Sequence, residues 1–168
     1  YKQLSDKAIR LLIFSISLIL LFNTSLISAH LIGWDIHREY AVFEKTFMNK
    51  NWELLPIKQV MSSSRINQFE AYNANPSITL LPTFYATVFN LPNNEYIFKF
   101  FFQFFIALIP VILFDLFRKN FSKICSTTAC IFIIIQYPFF QVLPSIIRQD
   151  IAYLFFVTLF LLAFCNLK

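Results

Sequence analysis

Charge is scarce in this chain. Of 168 residues, 14% are charged, 58% are hydrophobic and one is a glycine, a balance far from the roughly 25% charged residues of soluble domains. An ordinary soluble fold is thereby excluded. Cysteine is scarce as well, and Cys125, Cys130 and Cys165 all lie in apolar stretches, where a free thiol packs as a small hydrophobe. Cys125 and Cys130 are spaced so that a helix turns them away from each other, so neither a disulfide nor a metal site is indicated. No small-x-small cleavage site follows the first apolar run, which is also too long for a signal-peptide core. Internal repeats and low-complexity tracts are missing too. The triplets at Asn23 and Asn120 fall in a span and on the expected cytoplasmic side, and the one at Asn75 carries the excluded proline, so no glycosylation is expected.

What is present in abundance is phenylalanine, 23 residues in all, clustered as in Phe100-Phe101-Phe102 and Phe104-Phe105 with no polar face between them. Helices apolar all round suit lipid. Four runs are long enough to cross a bilayer: 8–32, 96–117, 124–142 and 146–167. The net charge of +5 sits mainly beside these runs, so it reads as membrane orientation and not as a nucleic-acid surface. Lys2, Lys7 and Arg10 place the N-terminus in the cytoplasm, and Arg118, Lys119 and Lys123 mark a cytoplasmic loop. Lys168 closes the last span on the same side. Pro110 and Pro138 are expected to kink their helices. With no initial methionine and an end directly after an apolar run, the chain reads as the N-terminal piece of something longer. The fold class expected is all-α, a polytopic transmembrane helical bundle in one domain, with interfacial helices in its first outer loop, 33–94.

That loop carries mixed, nearly balanced charge. Tyr40, Phe43 and Phe47 recur at helical spacing opposite charged positions, which predicts an amphipathic interfacial helix over 38–49. A second is predicted over 76–89, capped by Asn75, with Pro76 first and Ile78, Leu81, Tyr85 and Val88 on one face. Pro82 is expected to break it.

The densest chemistry is Gly33-Trp34-Asp35-Ile36-His37-Arg38-Glu39-Tyr40, where the first span leaves the membrane. On a helix Asp35 and Glu39 share a face, with Arg38 one turn from Asp35. A carboxylate here suits a general base, or, with Glu39 or His37, a ligand of a divalent cation set against a phosphate. The bland reading makes Trp34 and Tyr40 interface anchors and the charges solvated. Arg148-Gln149-Asp150 falls on the same expected side: Arg148 suits a phosphate, and Asp150 would orient it or complete an acidic pair. Its bland reading is a snorkelling Arg148 partnered by Asp150. Asp115 is expected to pair locally with Arg118, and His30 to pack as an interfacial histidine. Arg65 and Glu70, in the polar stretch 62–75, are candidates for an acceptor site.

On these residues the chain resembles the GT-C membrane glycosyltransferases, and most closely an archaeal-type branch of multi-span membrane proteins related to them. The features that carry the resemblance are the opening span followed at once by residues 33–40, the run Ser77-Ile78-Thr79-Leu80-Leu81-Pro82, the segment 111–119, and Arg148-Gln149-Asp150-Ile151-Ala152. The resemblance implies an acidic residue in the first outer loop as catalytic base, with Asp35 at that position and Glu39 as the alternative. His37, Arg38, Arg148 and Asp150 would then touch substrate. It also implies a sugar donor on a polyprenyl-phosphate carrier, a glycan, lipid or protein acceptor on the outer face, and the lipid bilayer as partner, in a multi-pass protein of the cell membrane. Asp35 is followed by Ile36 and His37 and not by a second acid, so a divalent cation on Asp35 and Glu39 stays an open alternative. Two rivals remain: a transporter or flippase of a lipid-linked or small solute, and a non-catalytic membrane scaffold subunit.

Overall fold

A computed structural model of the chain describes residues 4–54, 70–91 and 94–166, with backbone alone at Trp34, Cys165 and Asn166. Lys2, Arg65 and Lys168, to which the sequence gives roles in orientation or in the loop, lie outside the described residues, as do the side chains of Trp34 and Cys165. Among the described residues every regular element is helical and no strand occurs. The elements are α1 Asp6–Ser25, α2 Trp34–Asn49, α3 Leu80–Phe89, α4 Ile97–Arg118, α5 Lys123–Ile134 and α6 Ile147–Asn166.

Three of these, α1, α4 and α6, are long and apolar enough to cross a bilayer. A fourth span results if α5 is joined to the turn Pro138–Ser145, which bends away from it by 51°. The apolar run 124–142 is therefore broken and not straight. Pro138, lacking an N–H, opens a π-helical turn, Pro138–Val142, that passes into a 3-10 turn, Leu143–Ser145.

α1 is shorter than the apolar run that contains it. Ser5 caps its start, its Oγ accepting from the Ala8 N–H, and Asp6 in the first turn suits the helix dipole. It ends at Ser25, and the Ser28 hydroxyl then accepts from the His30 N–H in the irregular stretch that follows. Serine side chains that hydrogen-bond nearby backbone favour such turns over helix, which is why hydropathy alone overruns the end.

α4 is the central helix. Ile106, Ala107 and Phe114 are fully buried against Ile13 and Leu21 of α1 and Cys130 and Ile134 of α5, with Val157 of α6 closing the group. α1 and α6 keep Leu11, Ile19, Phe155, Phe156 and Leu159 exposed, large apolar side chains of the kind that suit hydrocarbon. Cys125 is exposed and Cys130 buried. Pro110 sits inside α4, and its carbonyl accepts from the Cys130 thiol at 3.4 Å. A π-helical turn, Ile97–Phe101, opens α4, and the Gln103 amide donates to the Phe98 carbonyl at 3.3 Å.

One end of the helix group is held by charge. Asp115 pairs with Arg10 of α1 at 2.7 Å, and Asp6 takes Arg118 at 3.4 Å and Lys123 at 3.0 Å. The local Asp115–Arg118 pair expected from spacing is thus replaced by pairs between helices, because packing brings α1 to both.

At the other end a second core forms from Ile36, Val42 and Phe43 of α2, Tyr72, Ile78, Ala86 of α3, and Phe98 and Phe102 of α4. Asn75 accepts from the Ser77 N–H and hydroxyl, but the α-helix starts at Leu80. Pro82 therefore lies in the first turn, where a missing N–H leaves no bond unmade, and the helix runs through it to Phe89. Val88 is exposed, off the face predicted for it.

Candidate functional site

Gly33 sets the geometry. Its φ of 122° and ψ of 157° are open to glycine alone, and a Cβ here would stand 2.6 Å from the Ser145 Cβ. The chain therefore enters α2 pressed against the 3-10 turn that precedes α6, which lays the first two turns of α2 beside the start of α6. Gly33→Ala is expected to lower stability by about 1–3 kcal/mol through the backbone strain alone, read as a lower Tm; an unchanged Tm would mean the two turns are not held together here.

Four side chains from three distant parts of the sequence meet at this junction. Arg148 Nη2 lies 3.3 Å from Asp35 Oδ2, and its Nε lies 3.7 Å from Glu39 Oε1. The Arg148 guanidinium also stacks 4.1 Å from the centre of the Tyr72 ring, and the Tyr72 hydroxyl donates to Asp35 Oδ1 at 3.0 Å. Asp35 and Arg148 keep 33% and 28% of their side chains exposed, whereas Glu39 is at 0%. The arrangement is a guanidinium clamped between two carboxylates, with one carboxylate open to approach and the other sealed.

Glu39 is held by a backbone group. Its Oε2 accepts the Ile147 N–H at 2.8 Å, one of the first N–H groups of α6 that have no partner within the helix. A carboxylate from α2 thus caps α6 across the molecule. Burial pushes the Glu39 carboxyl up to about 7, and the charge of Asp35 adds to this; hydrogen bonds from the Ile147 and Arg148 backbone and the Arg148 charge act the other way. Asp150, one turn further along α6, is fully buried, and neither carboxylate oxygen has a hydrogen-bond partner.

The residues singled out by sequence divide accordingly. Asp35, Glu39 and Arg148 come together; Asp150 lies just behind them; His37 and Arg38 are exposed on α2, with no described interaction tying them to the cluster. Arg148, from another helix, takes the place beside Asp35 that spacing gave to Arg38. His30 is exposed and lies 3.7 Å from Glu95. Glu70 is buried, and its Oε2 accepts from the Asn73 amide at 3.2 Å. Asn73 also donates to the Glu53 carbonyl, and the Trp52 indole donates to the Asn73 carbonyl, so this acid braces the loop under Tyr72. Tyr72 itself was not singled out by sequence. Its one signal is an aromatic residue set in the polar stretch 62–75.

A divalent cation does not fit this donor set. Among the described residues no three His, Cys, Asp or Glu side chains converge as ligands, and Arg148 already supplies the positive charge between Asp35 and Glu39. Comparison with known protein families, with curated proteins and with solved structures finds no match for the chain.

Proposed function

We propose that the chain forms the catalytic end of a polytopic membrane glycosyltransferase of GT-C type, moving a sugar from a polyprenyl-phosphate donor to a glycan, lipid or protein acceptor. The end bearing Lys7, Arg10, Arg118, Lys119 and Lys123 faces the cytoplasm, following the positive-inside tendency. The Asp35 end, carrying the loop between α1 and α4, faces outward. The observation that carries the reading is the direct contact of Asp35 with Arg148, 113 residues apart in sequence, at the end of membrane-length helices.

In this reading Asp35 takes the proton of the acceptor hydroxyl as its oxygen attacks the anomeric carbon. The bond from that carbon to the phosphate oxygen breaks, the electron pair leaves with the phosphate, and Arg148 neutralises the charge that appears there. Configuration at the sugar inverts in this single displacement. Tyr72 holds the second carboxylate oxygen and the guanidinium plane, so both groups are oriented before substrate arrives. Glu39, covered by protein, positions Arg148 and does not touch substrate.

The test is transfer of sugar from a defined polyprenyl-phosphate donor by the full chain in membranes. Arg148→Lys keeps the charge and loses the planar fork, so product formation is expected to fall about 10-fold. An unchanged rate would remove Arg148 from the reaction.

A second reading is favoured by one observation. Asp150, Lys99 and Gln103 are buried polar groups within α4 and α6, as the lining of a transport path would be. A flippase would move a labelled polyprenyl-phosphate sugar across vesicles holding the purified chain without an acceptor, and a transferase would not.

A further inference from the structure

A cavity of about 230 Å³ has Gly33 in its wall. Its wall includes the last residues of α1, Thr24 and Ser25, the first turn of α4 with Phe98 and Lys99, and the turns leading into α6 with Gln141 and Ser145. None of Asp35, Glu39, Tyr72 or Arg148 lines it.

Among the described residues its only charged lining residue is Lys99, which is 4% exposed. The ammonium donates to the Ser28 carbonyl at 2.7 Å. Taking an ammonium out of water is costly unless an opposite charge compensates it, and one carbonyl dipole engages one of its three donors. Among the described residues no carboxylate lines the cavity, and Glu95, one turn before Lys99, lies 3.7 Å from His30. Ser25 and Thr24 add two hydroxyls on the same wall. Their oxygens are buried and have no hydrogen-bond partner, although the usual helical alternative, donation to the carbonyl one turn back, is taken by Ser17 in the same helix. Ser25 as a whole is 9% exposed.

We propose that this cavity binds the phosphate group of a membrane lipid, with Lys99 as its counter-charge and the Ser25 and Thr24 hydroxyls as donors to its oxygens. A lysine is a point charge suited to phosphate, and hydroxyls complete the shell of an anion that has more acceptor oxygens than one ammonium can serve. The apolar part of the wall, Leu31, Ile32 and Pro144, suits the glycerol and first methylenes behind the headgroup. The cavity lies where α1 stops and α4 begins, the level at which headgroups sit beside membrane-length helices. The site is separate from the Arg148 cluster and does not depend on sugar transfer.

The experiment measures lipid binding to the full chain in neutral detergent, with phosphatidylglycerol as probe and diacylglycerol of the same acyl chains as the phosphate-free control. Phosphatidylglycerol is expected to bind about 10-fold tighter than diacylglycerol, and Lys99→Met to abolish that difference while Lys99→Arg keeps most of it. Equal binding by wild type and Lys99→Met overturns the proposal. Should Lys99→Met fail to fold, Ser25→Ala decides: about a 3-fold loss supports the site, and no loss overturns it. Inorganic phosphate at constant ionic strength is the second arm. Failure to displace the lipid supports a headgroup site, and displacement at equal concentration reassigns the cavity to free phosphate and overturns the lipid. Asp35→Asn is expected to leave phosphatidylglycerol binding unchanged, so loss of transfer and loss of this site are separately visible.

Discussion

Replacing Asp35 with asparagine in the full chain should reduce sugar transfer by about 100- to 10,000-fold, the range for loss of a positioned general base, with little change in Tm. The two halves of this expectation rest on different contacts. Asparagine has the same shape and keeps an oxygen for the Tyr72 hydroxyl, which donates to Asp35 at 3.0 Å. The ion pair that is lost joins side chains 33% and 28% exposed, and pairs with this much solvent contribute about 1 kcal/mol or less. Folding therefore survives, whereas the only exposed carboxylate of the cluster can no longer take a proton. Product formation and Tm measured on the same preparation check both halves. Full transfer activity in Asp35→Asn would remove the base from the reaction and leave a membrane-length helix group with a structural ion pair.

Arg148 makes a competing demand that this reaction must satisfy. In the free protein it lies 3.3 Å from Asp35 and 3.7 Å from Glu39, and in the proposed reaction it must also face a phosphate. A donor phosphate drawn to the guanidinium would compete with Asp35 for it and free that carboxylate to meet the arriving hydroxyl. Tyr72 keeps Asp35 in place throughout, since its bond is to the other carboxylate oxygen. On the proposed reaction, one side chain, Arg148, would thus link donor binding to the release of Asp35.

Much of the helical layout was legible because it follows from local pattern. The apolar run 96–117 becomes α4, Ile97–Arg118, and the four-residue spacing of Asp35 and Glu39 does put both on one side of α2, since a helix repeats every 3.6 residues. The breaks were less legible. Hydropathy continues past Ser25 and through Gln136, but α1 ends at the first and the chain bends near the second, for reasons of hydrogen bonding that an apolar average does not register. Partners across helices were least legible of all. Arg10 with Asp115 and the Tyr72 ring under the guanidinium depend on which helices pack together, and nearest-neighbour spacing offered Arg118 in place of Arg10; Arg148 was expected on the same side as Asp35, but its direct contact with that carboxylate needed the fold. Gly33, the single glycine of the chain, was visible as a residue, but its contact with Ser145 needed the fold.

Glu39 leads to a pH dependence of stability. Its carboxyl is raised from the ordinary 4.5 to about 7, chiefly by burial. Between these values the folded chain holds a proton that the unfolded chain has released, so stability falls as pH rises through this window and levels off above it. The difference of about 2.5 pH units corresponds to about 3 kcal/mol. Glutamine at position 39 carries no charge to bury and keeps an oxygen to accept the Ile147 N–H, now 2.8 Å from the carboxylate. Glu39→Gln is therefore expected to match wild type at pH 4, below the window, and to exceed it at pH 8 by about 6–12 °C in Tm, using about 2–4 °C per kcal/mol for a chain of this size. Thermal unfolding of both proteins in one detergent at the two pH values gives the comparison. A gap of the same size at both values would mean that Glu39 is not charged against burial, and that Arg148 compensates it fully. A gap confined to pH 8 would mean that the cap on α6 works at the expense of stability, as expected of a group kept to orient Arg148 and not to hold the fold together.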